Sequence, residues 1–364
     1  MGTRQQQIRQ RQKQQQQAIG GPPVSFQSER KRVTKQAANT TVTTKADFIK
    51  AVQTPKTTVW VPEETTIDLT GESIPVAPGV TIASNRNLSS NGGTGGLIKT
   101  TQYDRNVLVA KGDCRITGIR LEGPRMDYLD PPYENLAAYE SNGVQFEGNK
   151  AVVDNCEMYG WTFAAIAVGT DETPTQGWIH HNSFHHNQMN HLGYPMELFN
   201  GLSLVEWNYF SKYRHAIAGY GYKTNGYEAR FNVVGPPGGA PSAFAFDMHR
   251  LGEQDNFPSS NMTGGKYVNV HHNVLEIKNH AALSLSGIPT QYARFVNNWC
   301  AEEGTVDGEK GADLRVKKNE YGPQAVKKGR QRLQQLSTGL PLSNGKPSIS
   351  KWTSPKQQQT TKKN

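Results

Sequence analysis

The stretch Ile179-His180-His181-Asn182-Ser183-Phe184 is one copy of a six-residue step that decides the fold of this 364-residue chain. An apolar residue opens and closes the step, and Asn stands fourth. The step recurs about once per 25 residues, with its Asn at Asn182, Asn208, Asn232, Asn273, Asn298 and Asn319. A period in this range is the signature of a solenoid, in which each repeat forms one coil.

The intervals between these steps predict strands. They hold alternating apolar and polar residues, with Gly and Pro at the bends. Successive Asn residues are 26, 24, 41, 25 and 21 residues apart, and the longest interval indicates one coil with an inserted loop. Cys156 and Ile119 stand in earlier copies of the step, and the 37 residues between them indicate a second inserted loop.

We therefore predict an all-β fold, a single-stranded right-handed parallel β-helix whose coils stack about 4.8 Å apart. The recurring Asn is expected at a sharp bend, in the left-handed conformation, with its amide bonded to the next Asn in a ladder. The segment Thr44–Val52 predicts a short amphipathic helix with Thr44 as its N-cap, which would cover the first coil.

Basic charge is concentrated at the two ends of the chain. Residues 1–35 carry +7 and residues 310–364 carry +11, while the whole chain carries +9, so residues 36–309 carry −9. Gln, Ser, Thr, Lys and Pro dominate the ends, which predicts mostly disordered basic tails around a β-helix domain of residues 36–309. Residues 326–336 are a candidate short basic helix. Two interpretations of the tails stay open. They are solvated ends that only keep the protein soluble, or they anchor it to nucleic acid or to an anionic protein surface.

The expected localisation follows from the absence of two sequence signals. No apolar run is long enough to span a bilayer, and no apolar stretch follows the basic N-terminus as in a secretory signal. We therefore expect a virion or cell-surface protein released by lysis, or otherwise a cytoplasmic one.

Three Cys at or beside apolar strand positions predict buried free thiols at Cys114, Cys156 and Cys300. A homo-oligomer stays open.

Four motifs carry a resemblance to a known superfamily. They are His180-His181-Asn182, Arg214-His215-Ala216-Ile217-Ala218, Tyr227-Glu228-Ala229-Arg230-Phe231-Asn232 and Phe246-Asp247-Met248-His249. On these motifs, residues 43–305 resemble the pectate-lyase-like right-handed β-helix superfamily, in particular uncharacterised right-handed β-helix repeat proteins. The resemblance implies a carbohydrate-active fold. It leaves the activity open, because the superfamily includes lyases, hydrolases, epimerases, adhesins and viral spikes.

All ten His lie between His180 and His280, on consecutive coils. Alternation along the strands of one sheet separates inward from outward side chains. The predicted inward residues are Ile166, Val168, Met196, Leu198, Ile217, Phe244, Phe246, Met248, Leu283 and Leu285. The predicted outward residues are Glu197, Ala216, Ala218, Tyr220, Ala245, Asp247, His249, Ser284 and Ser286. Small residues with polar residues around them predict a groove for a sugar chain.

Glu197, Asp247 and His249 are the candidate catalytic residues. The two carboxylates are predicted two coils apart, about 9.6 Å along the axis, near the upper end of the separation in inverting glycosidases. The alternative is that both only solvate an exposed face. The step at Asp247 is also similar to the Asp-Pro-His step of mannuronan epimerases, which implies proton abstraction by His249. Met248 replaces the Pro, and Phe244 stands where that family has a catalytic Tyr.

The candidate substrate-binding residues are cations that would neutralise a substrate carboxylate and aromatic residues that would stack on sugars. They are Arg214, His215, Tyr220, Tyr222, Arg230 and Arg250. The alternatives are a surface ion pair for each Arg and, for the Gly-Tyr stretch, simple cover of the solenoid edge.

No cofactor is indicated by the sequence. The adjacent His residues at 180–181 and 271–272 would face opposite ways, so each pair supplies at most one ligand and fits a turn better than a zinc site. A calcium site as in pectate lyases needs several Asp on neighbouring coils, and Asp247 is alone on this face. Additional ligands from residues 185–191 keep calcium or another divalent metal open.

Two functions remain open. In the first, the chain is a glycan-binding surface or virion-associated structural protein, anchored by its basic tails and bound to a polysaccharide or surface glycan. In the second, it is a polysaccharide-modifying enzyme, a lyase, epimerase or glycoside hydrolase, acting in a groove on the central coils. The tails and the missing signal favour the first, and the concentrated polar face favours the second.

Overall fold

The computed structural model describes residues 32–339 except 87–92, 104–105, 240–241, 252–262, 305 and 309–310. In this part of the chain, 30 strands form three parallel sheets, which we name A, B and C. The chain visits A, B and C in turn on each coil, so a coil holds three strands. The predicted parallel β-helix, and the fold implied by the superfamily resemblance, are confirmed. Parallel crossovers almost always take the predicted right hand.

The strands of each sheet pair with the same sheet on the next coil. Sheet A contains β1 (Thr40–Thr41), β2 (Thr58–Trp60), β5 (Thr81–Ala83), β8 (Cys114–Thr117), β11 (Lys150–Asp154), β14 (Gln176–His180), β17 (Leu202–Glu206), β20 (Gly226–Arg230), β23 (Tyr267–His271), β26 (Tyr292–Val296) and β29 (Leu314–Lys317). Sheet B contains β3 (Thr66–Asp68), β6 (Leu97–Lys99), β9 (Arg120–Glu122), β12 (Glu157–Tyr159), β15 (Ser183–Asn187), β18 (Tyr209–Tyr213), β21 (Val233–Val234), β24 (Val274–Leu275), β27 (Trp299–Cys300) and β30 (Glu320–Tyr321). Sheet C contains β4 (Ile74–Val76), β7 (Leu108–Ala110), β10 (Asn142–Phe146), β13 (Ala164–Val168), β16 (Tyr194–Leu198), β19 (His215–Tyr220), β22 (Phe244–His249), β25 (Ala281–Leu285) and β28 (Val306–Gly308).

The recurring Asn residues form the predicted ladder at the bend between sheets A and B. From Asn182 to Asn319, each side-chain Nδ2 donates to the Oδ1 of the next Asn over 3.0–3.2 Å. Each Oδ1 also accepts the backbone N–H of the preceding ladder residue, beginning with Cys156. The ladder therefore satisfies buried backbone groups that the bend removes from the sheets.

The prediction that Asn itself is left-handed is wrong. The residue before each Asn takes that conformation, for example His181 and Trp207, both with φ of 58°. Such a conformation costs a non-Gly residue about 1–2 kcal/mol. The amide bonds of the following Asn offset this cost, since each buried hydrogen bond contributes about 1 kcal/mol.

The predicted N-terminal helix is confirmed. Helix α1 (Lys45–Val52) begins after Thr44, whose hydroxyl oxygen accepts the backbone N–H of Asp47 over 3.2 Å. Phe48, Ala51 and Val52 are buried on its inner side. The helix packs beside β2, β3 and β4, which are one early strand from each sheet, and so covers the open end of the core.

At the other end, the coil extends beyond the predicted boundary between residues 309 and 310. Strands β29 and β30 continue sheets A and B, and helix α2 (Pro323–Gly339) follows them. Leu333 of α2 is buried against the outer face of sheet B, where it joins a cluster with Trp207, Val274 and Trp299. The candidate helix at 326–336 thus lies inside α2. The predicted tails otherwise fall on residues 1–31 and 340–364, outside the described residues.

The core is one continuous apolar column inside the three sheets. The three Cys residues are buried and free, as predicted, at Cys114, Cys156 and Cys300. Burial raises the pKa of the Cys156 thiol to about 12, so it stays protonated.

In the part of the chain that the structure describes, no helix has the length and apolar character needed to cross a membrane. Two shorter 3-10 helices lie at Lys35–Ala37 and Tyr133–Tyr139.

Candidate functional site on the outer face of sheet C

The outer face of sheet C brings the three candidate catalytic residues together. Glu197 on β16 pairs with Ala218 on β19, and Ala218 pairs with Asp247 on β22. The two carboxyl groups are thus two coils apart at the same register, as predicted. Tyr220 pairs with His249 at the end of the same strands, so four candidate side chains lie on three consecutive coils.

Both carboxyl groups are buried, although they lie on an outward face. Glu197 is 4% exposed and Asp247 is 2% exposed. The alternative that they merely solvate an open surface is therefore excluded. Burying a charged carboxylate is unfavourable unless partners compensate for the lost water.

The partners of Asp247 are two imidazoles. Nε2 of His249 lies 2.9 Å from Oδ2 of Asp247, and Nε2 of His215 lies 3.8 Å from the same oxygen. Burial alone would raise the pKa of Asp247, but the nearby His249 and His215 outweigh burial and hold the pKa below its usual value. On the core side, the Tyr227 hydroxyl donates to the backbone carbonyl of Asp247 over 3.1 Å. Asp247 is therefore an ionised group held in place from both sides.

The pKa of Glu197 is shifted in the opposite direction to that of Asp247. Burial raises its pKa to about 8, an effect reduced by a hydrogen bond with the Tyr220 hydroxyl and by the charge of His249. The charge of Glu140 raises it further. At neutral pH the Glu197 carboxyl is protonated and can donate a proton.

His215 is the most enclosed polar side chain of the site. It is fully buried, with its ring stacked between Tyr194 at 5.4 Å and Phe244 at 4.8 Å. Burial lowers its pKa to about 3, so it is neutral. Among the described residues, neither of its ring nitrogens has a hydrogen-bond partner. Direct contact with a substrate, as expected from the sequence, would require His215 to leave this enclosure.

The alternation predicted for sheet C fails at the start of its strands. Ala216 and Ala245, predicted to face outward, belong to the apolar core, next to Ile217 and Phe246. Phe244, predicted to face inward, stacks on His215 outside that core. Two consecutive core residues require a local irregularity in the strand, like a bulge, and strict period-2 counting does not anticipate one.

One wall of the site comes from the inserted loop between β9 and β10. Tyr133 on this loop is 63% exposed and meets the His191 ring edge-on at 5.1 Å. Arg214 donates to the His191 carbonyl over 2.8 Å and contacts the Tyr194 hydroxyl at 3.0 Å. The sequence reasoning missed Tyr133, Tyr194 and Glu140, although the 37-residue interval already pointed to a loop at this place.

The other predicted substrate-binding residues divide by location. Tyr220 and Tyr222 flank Phe199 with ring centroids at 4.4 and 5.6 Å, so both border the site. Arg250 follows β22, and its backbone N–H donates to Ser286 Oγ over 2.8 Å. Arg230 is not part of this site. It lies on sheet A, is 4% exposed, and contacts the Glu206 carboxylate at 2.8 Å.

The paired His residues are also elsewhere. His180 and His181 contact each other through Nδ1 atoms 2.8 Å apart at the bend between sheets A and B, and His271 and His272 do the same. Burial lowers the pKa of His181 to about 4. Each pair therefore lies at a turn of the coil, as the preferred interpretation of the sequence had it.

Comparison with known proteins adds little to this geometry. No family model matches the chain, and no curated protein matches it. Among solved structures, the chain is similar to one titled "Crystal structure of alginate lyase from Paenibacillus sp. str. FPU-7". The sequence identity is 15%, the match covers 77% of this chain and 99% of that chain, and the TM-score is 0.43.

Proposed function

We propose that the chain is a polysaccharide-modifying enzyme that uses acid–base chemistry at the outer face of sheet C. One observation carries the proposal. The buried Glu197 carboxyl, bonded to Tyr220, is in register with Asp247, whose carboxylate contacts His249. A proton donor and a basic pair thus line the same face, which is the arrangement that acid–base catalysis requires.

Burial favours catalysis over binding alone. A face that only binds a glycan gains nothing from enclosing two carboxyl groups, whereas a catalytic site needs groups whose proton affinities differ from those in water. The enclosure includes the ring of His215 and the wall near Glu140. Enclosing these groups lowers the free energy of unfolding, and such costs are typical of functional sites.

A polysaccharide fits the shape of this face. The floor contains the small residues Ala164 and Ala218, and aromatic rings at Phe199, Tyr220 and Tyr133 border it. Flat apolar rings suit the faces of sugars. Arg214 supplies a cation beside the site and so favours an acidic sugar. The parallel β-helix supports this assignment only by analogy.

The roles follow from the positions. Protonated Glu197 donates to the substrate, either to a glycosidic oxygen or to a sugar carboxylate. In its neutral form, His249 accepts a proton from the substrate or from water, and the Asp247 carboxylate orients the imidazole and stabilises the imidazolium that forms. His249 keeps 27% of its side chain exposed, so a substrate can reach it. Lyase, epimerase and hydrolase remain the three outcomes that an assay must separate.

The test is a panel of uronate and neutral polymers with three readouts. Absorbance of unsaturated sugars reports a lyase, new reducing ends without that absorbance report a hydrolase, and proton exchange with deuterated water reports an epimerase. We expect one polymer to react, and Glu197→Gln and His249→Gln to lower kcat at least 100-fold. Glu303→Gln, at an exposed position, is the matched control and should react normally. Binding without product by any readout would overturn the enzyme and leave a glycan-binding protein.

The surface or virion-associated role stays a prediction. It depends on the basic tails, and residues 1–31 and 340–364 lie outside the described residues. Removing both tails should leave any activity at sheet C unchanged, because the site residues, including its loop wall and its floor, all lie between 133 and 250. Loss of co-assembly with an anionic partner after the same deletion would support the anchor.

A further inference from the structure

We propose that His215, Asp247 and His249 bind one divalent transition-metal ion. One donor atom from each side chain lies within 4.8 Å of the other two. The individual separations from Asp247 Oδ2 are 2.9 Å to His249 and 3.8 Å to His215. Donor atoms around a four-coordinate zinc ion at about 2.1 Å lie roughly 3.4 Å apart. The three side chains therefore need only small shifts to surround an ion.

The state of His215 is a second, independent observation. Its ring is fully buried, and within the described part of the chain neither ring nitrogen has a hydrogen-bond partner. Buried polar groups are normally satisfied, and an unsatisfied one calls for a missing partner. Nε2 of this ring points toward the Asp247 carboxylate, as the 3.8 Å separation shows. A metal ion would supply the missing partner.

The surroundings hold the ligands as a metal site requires. The rings of Tyr194 and Phe244 clamp His215 from both faces. The Tyr227 hydroxyl fixes the backbone of Asp247 from the core side. Supports of this kind orient ligands and strengthen metal binding. The register of β19 and β22 fixes the distance between the two strands that carry the ligands.

The ligand types select the metal. Two imidazoles and one carboxylate suit zinc, manganese, iron or cobalt, whereas calcium and magnesium prefer oxygen ligands only. Three protein ligands leave at least one position for water or substrate, as in catalytic zinc sites. The exposed part of His249 marks the side from which a substrate would approach.

The consequence for catalysis rests on the proposed function. An ion at Asp247 would lie on the same face as Glu197, two coils away, where it could neutralise an acidic sugar or activate water. The base of the reaction would then be water bound to the ion, in place of the His249 imidazole. Metal binding itself is independent of any activity and can be measured without a substrate.

The experiment uses the full chain, stripped with a chelator and titrated calorimetrically with Zn²⁺, Mn²⁺ and Ca²⁺. We expect one Zn²⁺ per chain with a micromolar or lower Kd, weaker Mn²⁺ binding and no Ca²⁺ binding. Asp247→Asn and His215→Phe should each weaken Zn²⁺ binding at least 100-fold. His280→Gln is the control, because His280 lies outside the cluster, and it should bind normally.

His215→Phe also guards against simple misfolding. Phenylalanine keeps the stack between Tyr194 and Phe244 and removes the two unsatisfied nitrogens, so the metal-free variant should have an equal or higher Tm. Zn²⁺ should raise the Tm of the wild type and leave that of the variant unchanged. Failure of Zn²⁺ and Mn²⁺ to bind, or equal binding by wild type and His215→Phe, would overturn the metal site. A chelated protein that still turns over a polymer would leave the proposed function intact, and a metal-binding protein without activity would leave the metal site intact.

Discussion

Glu197 and Asp247 occupy the same register on sheet C, two coils apart with Ala218 between them, and their pKa values are shifted in opposite directions. Burial is the largest influence on both groups. Two neighbouring imidazoles overcome it at Asp247. At Glu197, the Tyr220 hydroxyl only reduces it. The same environment thus keeps one carboxyl ionised and the other protonated, which places a proton donor and a basic group on one face.

A pH-dependent loss of stability is expected from Glu197. Its pKa is about 8 in the folded protein, against an ordinary value of 4.5. Between these values the folded protein holds a proton that the unfolded chain has lost, so the free energy of unfolding falls as pH rises from about 5 to 8. Urea unfolding of wild type and Glu197→Gln should show a difference that changes by up to about 4 kcal/mol over this range. A parallel pH dependence in both proteins would contradict the raised pKa, and Glu303→Gln should follow the wild type.

The ladder predicts different costs at its middle and its end. Asn232 donates to Val205 and Asn273 and accepts from Asn208, all in buried positions. Asn232→Ala would leave several buried backbone groups unsatisfied and should lower the free energy of unfolding by about 3–5 kcal/mol. Asn319→Ala removes fewer and partly exposed bonds and should cost about 1 kcal/mol. Equal losses in urea titrations would show that the ladder does not stabilise the coil as described.

Helix α2 is expected to protect the outer face of sheet B. Leu333 is fully buried there, against the cluster that contains Trp207 and Trp299. Leu333→Ala should lower the free energy of unfolding by about 2–4 kcal/mol and shift tryptophan emission to longer wavelength. Gln331→Ala, at an exposed position on the same helix, is the control. Unchanged emission in Leu333→Ala would mean that α2 does not cover these rings in solution.

The fold was predictable because its signal is repeated. Each copy of the Asn step specifies the same bend, so six copies fix the coil and its register even where single intervals are irregular. The register in turn aligns Glu197 with Asp247 from the sequence alone. What the alignment could not give is burial, since the wall near Glu140 comes from an inserted loop that carries no repeat.

The sequence predicted two kinds of side-chain position wrongly, each for a physical reason. Period-2 counting assumes a regular strand, and the local irregularity at Ala216 and Ala245 sent Phe244 outward onto His215. Arg230 is a candidate from the sequence because its cation could neutralise a substrate carboxylate, yet each coil has three faces and Arg230 is on sheet A. A count of three strands per coil would have separated it.

Tyr220→Phe tests the link between the two sides of the site. The Tyr220 hydroxyl lowers the pKa of Glu197 through a hydrogen bond. Removing it should raise that pKa above about 8, so the carboxyl stays protonated to higher pH. The infrared band of the protonated carboxyl, assigned by its loss in Glu197→Gln, should titrate at higher pH in Tyr220→Phe than in the wild type. Tyr222→Phe is the matched control, because the Tyr222 hydroxyl bonds to Asp171 instead. A titration unchanged by Tyr220→Phe, or shifted equally by Tyr222→Phe, would show that the Tyr220 hydroxyl does not set the pKa of Glu197.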